Sequence, residues 1–82
     1  MTDSDILAVI QQLMREYFDE DDLVITPETT ANDVEAWDSM SHLNIIIALE
    51  QRFKIKFMTS EVEALHNVGD LVSTISRKVA AR

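Results

Sequence analysis

Ile6, Leu7, Ile10, Leu13, Met14, Tyr17 and Phe18 recur at three- and four-residue steps, the spacing of one face of an amphipathic helix. Thr2-Asp3-Ser4-Asp5 places Thr2 and Asp5 three apart, the spacing of a capping box, so the helix is predicted to open there and to bury that stripe. Asp19-Glu20-Asp21-Asp22 ends the pattern, and no helical or strand period follows before Asp38. Val24 and Ile25 stand beside the turn signal Thr26-Pro27-Glu28, and with Val34 and Trp37 they are expected to pin a long loop. A second helix is predicted from about Ser39 to about Phe53, opened by Asp38 as N-cap. Ile45, Ile46, Leu49 and Phe53 share the face that should point inward, while Met40, Leu43, Asn44, Ile47 and Gln51 fall nearer another.

Beyond it, Ile55 and Phe57 alternate inward, and Ser60-Glu61-Val62-Glu63 repeats the capping-box spacing ahead of a short helix holding Val62 and Leu65. Asn67-Val68-Gly69-Asp70 can cap a last helix striped by Leu71, Val72, Ile75 and Val79. Arg77, Lys78 and Arg82 close that helix with the charge its C-terminus favours. The expectation is an all-α fold: a small four-helix bundle of three longer helices and one short one, with a long first loop. One domain should span residues 1–82.

The chain has no cysteine, which excludes disulfides and thiolate zinc sites and leaves no side chain able to form a thioester. No apolar run is long enough to cross a membrane, and Met1-Thr2-Asp3-Ser4-Asp5 lacks the basic start of a signal peptide. A cytoplasmic, monomeric protein is expected. The net charge of −8 argues against nucleic acid and anionic membrane as partners and favours basic protein surfaces. Between Arg15 and Arg52 there is no Lys or Arg, and Glu16, Asp19, Glu20, Asp21, Asp22, Glu28, Asp33, Glu35, Asp38 and Glu50 all lie there. Such a tract either solubilises a loop or steers basic enzymes toward whatever sits in its midst.

Ser39 sits in its midst. At the first position of a helix its hydroxyl lies where unpaired backbone N–H groups and the positive end of the helix dipole converge, a place suited to a phosphate ester. His42, three residues on, lacks the orienting group and the Gly-x-Ser-x-Gly turn that a Ser–His nucleophile requires, so no catalytic site is assigned and His42 is read as a helix-surface residue. His42 and His66 have no ligand-spaced partner, and the run from Asp19 reaches Leu23 where an EF-hand needs a ligand, so no metal site is expected.

Trp37-Asp38-Ser39-Met40 resembles the Asp-Ser-Leu prosthetic-group site of acyl carrier proteins, with Met40 in place of Leu. The resemblance extends to the loop around Pro27, to Ala48-Leu49-Glu50 with Phe53, and to Val68-Gly69-Asp70-Leu71 with Ile75. It implies that Ser39, beside Asp38, carries covalent 4′-phosphopantetheine, whose thiol holds an acyl group as a thioester. It also implies the partners: a phosphopantetheinyl transferase using coenzyme A and magnesium, an acyl-loading enzyme, and a downstream synthase or acyltransferase. Fatty-acid, polyketide or other specialised lipid or secondary-metabolite synthesis would be the setting.

There are departures. Ala36 stands where the family often has glycine, which questions the turn geometry of the loop. The second helix has Glu50 as its sole acid, unlike the strongly acidic helix of housekeeping carriers. That helix and Trp37 are more like carriers of specialised pathways. Met40, Leu43 and Ile47, left over from the buried face, are expected to stay accessible and to serve as partner-docking residues. The competing reading is a small acidic helical interaction module with no prosthetic group.

Overall fold

Thr2 and Asp5 cap each other: the Asp5 amide donates to Thr2 Oγ1 and the Thr2 amide to Asp5 Oδ2, both at 3.1 Å, and α1 (Asp3–Phe18) opens there. The computed structural model describes residues 2–81. A 3-10 turn (Ala31–Asp33), α2 (Ser39–Phe53), α3 (Thr59–Glu63) and α4 (Val68–Ala81) follow, with no strand among the described residues. Arg82, assigned from sequence to the cationic end of the last helix, lies outside the described residues.

α1 packs against both α4 and α2. Ile6, Ile10 and Met14 of α1 meet Ile45 and Leu49 of α2 and Leu71 and Ile75 of α4 in a single apolar core. Burial of each such side chain stabilises the fold by roughly 1.5–3 kcal/mol, an upper bound because denatured chains already bury some apolar surface. Leu7, Leu13 and Phe18 sit at its margin. Tyr17, expected in the stripe, is instead exposed at the end of the helix, where its hydroxyl accepts a hydrogen bond from Asn44 Nδ2 at 2.9 Å. A phenol at the rim keeps its polar tip paired without being buried.

Both α1 and α2 close on a left-handed residue that is not glycine, Asp19 (φ 55°) and Lys54 (φ 57°). After Lys54, the chain turns inward at Ile55, and the Phe57 amide donates to Glu50 Oε2 at 2.8 Å. The sole carboxylate of α2 therefore braces its own exit loop. The short helix begins two residues earlier than the Ser60 spacing predicts. Met58 is its N-cap, with the Met58 amide donating to Glu61 Oε1 at 2.7 Å, and Leu65 falls beyond its end. Lys78 Nζ pairs with Glu61 Oε1 at 2.8 Å and lies 5.7 Å from the Phe57 ring centroid, tying α3 and its approach to α4. Asn67 Oδ1 accepts from the Asp70 amide at 2.8 Å, the cap expected for the last helix.

The long loop is held from both sides. The Ile25 amide donates to Gln11 Oε1 at 2.9 Å and Arg15 Nε to the Leu23 carbonyl at 2.6 Å, which fixes its first half on α1. The Gly69 and Val68 amides donate to the Pro27 and Thr29 carbonyls at 2.7 and 2.8 Å, which fixes its bend on the start of α4. Ile25, Val34 and Trp37 enter the core as expected, but Val24 points outward. Ala36 does not adopt a positive φ, so the loop reaches Asp38 without a glycine there.

Candidate functional site

The tethered loop delivers Asp38 in extended conformation to the start of α2, where its carboxylate accepts from the Ser41 amide at 2.8 Å and its carbonyl from the His42 amide at 2.9 Å. Hydrogen bonding from Ser41, its amide first, holds the Asp38 carboxyl below the usual carboxylate range, so it is ionised at neutral pH. Ser39 follows as the first helical residue and is exposed.

The two serines of this turn differ. Ser41 donates its hydroxyl to the Ala36 carbonyl at 3.2 Å, whereas no hydrogen bond among the described residues engages the Ser39 hydroxyl. Ser39 alone of the pair, among the described residues, offers a hydroxyl without an internal partner at the positive end of the helix dipole, a place suited to a phosphate ester.

Beside Ser39 lies an open hollow of about 490 Å³ walled by Ala31, Trp37, His42, Leu43 and Leu65. Trp37, His42 and Leu65 also wall a smaller cavity of about 50 Å³ that reaches Leu71. The Trp37 and His42 rings stand 5.8 Å apart at 33°. His42 is thus half-buried rather than a plain surface residue, and loss of hydration lowers its pKa, which favours the neutral imidazole. Trp37 is 7% exposed, and its Nε1 has no hydrogen-bond partner among the described residues. The sequence signals Trp37 and Leu65 only as apolar residues. That they meet across the loop and the segment after α3 was not readable from spacing.

Met40, Leu43 and Ile47 are 73%, 56% and 51% exposed, on the side of α2 that the core leaves free. Met58 is likewise exposed, as the inward alternation of Ile55 and Phe57 would place it. Among the described residues no group of His, Asp and Glu could hold a metal ion, and no helix is long and apolar enough to cross a membrane.

A family model described as "Phosphopantetheine attachment site" matches residues 8–75. The chain belongs to the acyl carrier protein family. It is 33% identical to an acyl carrier protein of Thermosynechococcus vestitus over 82 residues, covering 99% of this chain and all of the relative. It is 36% identical over 67 residues to one of Helicobacter pylori, covering 80% and 85% of the two chains. Its fold is similar to the solution structure of a holo acyl carrier protein from Geobacter metallireducens, with a TM-score of 0.86 and 47% identity over 92% of this chain and 86% of that one. The family consists of carriers rather than enzymes, and its prosthetic group is covalent 4′-phosphopantetheine. The residues present suit that group: a free serine hydroxyl at a helix start, an apolar wall beside it, and an orphaned indole N–H in that wall.

Proposed function

We propose that Ser39 is the attachment site of 4′-phosphopantetheine and that the domain, residues 1–82, carries an acyl group between enzymes of a fatty-acid, polyketide or other specialised lipid or secondary-metabolite pathway. The bound group supplies the thiol that this chain lacks and holds the acyl group as a thioester. The observation that carries the assignment is the contrast between the two serines: Ser41 is tied to Ala36, while Ser39 is exposed and unengaged. Asp38 serves by fixing the helix start through the Ser41 amide, which sets where the Ser39 hydroxyl stands.

Carriers of this family are served by a phosphopantetheinyl transferase, acyl-loading enzymes, synthases and acyltransferases. Met40, Leu43 and Ile47 supply the apolar contact for them, since they expose large side chains close to Ser39 without a core role. The acidic loop supplies long-range attraction to basic partner surfaces. A specialised rather than housekeeping role is favoured by α2 itself, whose only acid is turned to the Phe57 amide. The carrier works in the cytoplasm as a monomer.

Incubation with coenzyme A and a broad-specificity phosphopantetheinyl transferase, followed by intact-mass measurement, tests the assignment. The wild type should gain one phosphopantetheine, Ser41→Ala should gain it too, and Ser39→Ala should gain none. Modification that survives in Ser39→Ala would refute the site.

A further inference from the structure

At the end of α2 the Glu50 carbonyl accepts both the Lys54 amide and, at 3.0 Å, the Ile55 amide. The left-handed turn at Lys54 sends Ile55 into the core and leaves Lys54 and Lys56, on either side of it, exposed. With Ile47, Glu50, Gln51 and Ile55 these lysines line an open hollow of about 300 Å³. Ile47 and Ile55 are its apolar part. Its one carboxylate, Glu50, accepts from the Phe57 amide at 2.8 Å, and no ion pair among the described residues engages Lys54 or Lys56. The charge here runs against the rest of the molecule. In a chain of net charge −8, three of the seven Lys and Arg residues fall within residues 52–56. The opening of α2 has the opposite sign, with Asp38 as its cap and Glu35 just before it.

Resting on the carrier reading above, we propose that this hollow is a docking site of reversed charge. It receives an apolar side chain flanked by Asp or Glu on the surface of an enzyme that the carrier serves. Charge complementarity selects the flanks, since two lysines without an internal counter-ion attract carboxylates and repel a basic surface. The floor selects what lies between them, because Ile47, 51% exposed, offers apolar area that an apolar side chain covers. Reach is satisfied as well. Lys54 lies fifteen residues beyond Ser39, roughly 22 Å along the helix at 1.5 Å per residue. An interface burying about 800 Å² per partner is wide enough to cover both. The partner that fits is therefore basic where it meets the acidic loop and acidic where it meets the end of α2. Matching both signs fixes the direction in which α2 lies across it.

The probe is a capped peptide of sequence Asp-Glu-Leu-Glu-Asp, titrated at low ionic strength into the nitrogen-15-labelled full chain. Its controls are Asn-Gln-Leu-Gln-Asn, which lacks the charge, and Asp-Glu-Ser-Glu-Asp, which lacks the apolar side chain. The titration is run before and after treatment with coenzyme A and a transferase, with loading read by intact mass. The acidic peptide should shift the amide resonances of Ile47, Gln51, Ile55 and Lys56, and both controls should bind several-fold more weakly. Joint Lys54→Gln and Lys56→Gln substitution, at two exposed positions, should weaken binding several-fold, and so should Ile47→Ala. Equal shifts with the uncharged peptide, or equal shifts around Arg77 and Lys78 of α4, would overturn the proposal. So would phosphatidylglycerol vesicles that shift the same resonances when the peptide does not, since the hollow would then face a membrane. A chain that binds the peptide but gains no mass would refute the attachment at Ser39 and leave the hollow standing. A chain that gains the mass but binds no peptide would do the reverse.

Discussion

The Gly69 amide donates to the Pro27 carbonyl at 2.7 Å, and a Cβ on Gly69 would stand 2.9 Å from that same oxygen. This close approach joins the bend of the long loop to the first turn of α4, and through the loop it helps set where Ser39 is presented. Gly69→Ala should push the two backbones apart and cost about 1–3 kcal/mol, the usual penalty for crowding a packed site. Urea unfolding measures it. A variant as stable as the wild type would mean that the loop yields freely at Pro27.

Exposure separates the proposed docking residues of α2 from its core residues. Met40→Ala and Ile47→Ala should change stability by less than about 1 kcal/mol, whereas Ile10→Ala, fully buried on α1, should cost roughly 2–5 kcal/mol. Both α2 variants should nevertheless be modified or acylated more slowly than the wild type, as steady-state assays with partner enzymes will read. Unchanged rates would remove these residues from the docking surface.

The base-free tract from Glu16 to Glu50 predicts that association with a transferase is steered by charge. The on-rate should fall as ionic strength rises, because salt shortens the reach of exposed charges. Stopped-flow measurement across a salt series is the check, and a flat profile would leave the loop a solubilising role alone.

His42 and Asp38 give the fold two separate pH responses. Shielding from water lowers the His42 pKa beneath its ordinary 6.5, so below that value the unfolded chain binds a proton the folded one refuses. Stability should therefore decline as pH falls from about 7 to about 5, and His42→Gln should flatten that decline. Asp38 acts at lower pH. Its depressed carboxyl contributes stability above the ordinary carboxylate pKa, lost as pH falls through the lowered value. Thermal melts across pH distinguish the two, since the acid-limb loss should persist in His42→Gln.

Helix periodicity made most of the fold legible. The buried face of α2, the start of α2 at Ser39 and the cap at Asn67 all follow from residue type and spacing. Other features depend on tertiary partners that spacing does not carry. Ser60 has the right neighbours for a cap, yet the chain turns at Met58 because the Glu61 carboxylate reaches that amide and is anchored by Lys78 from α4. Tyr17 fits the apolar stripe but lies where Asn44 can pair its hydroxyl outside the core. The candidate site divides the same way. Asp38 and Ser39 are adjacent in sequence, so their relation was readable, while the Trp37–Leu65 wall joins segments distant in sequence.

The bond from the Phe57 amide to Glu50 has a consequence for traffic between pathways. That bond, 2.8 Å long, turns the one carboxylate of α2 toward its own exit loop, while the stretch from Met40 through Ile47 holds no acidic residue and leads toward Arg52, Lys54 and Lys56. An enzyme whose grip relies on carboxylates along this helix finds nothing to hold and meets like charge at its far end. Cross-talk with enzymes of that kind is thereby discouraged by the composition of α2, and the inward turn of its one carboxylate adds to the effect.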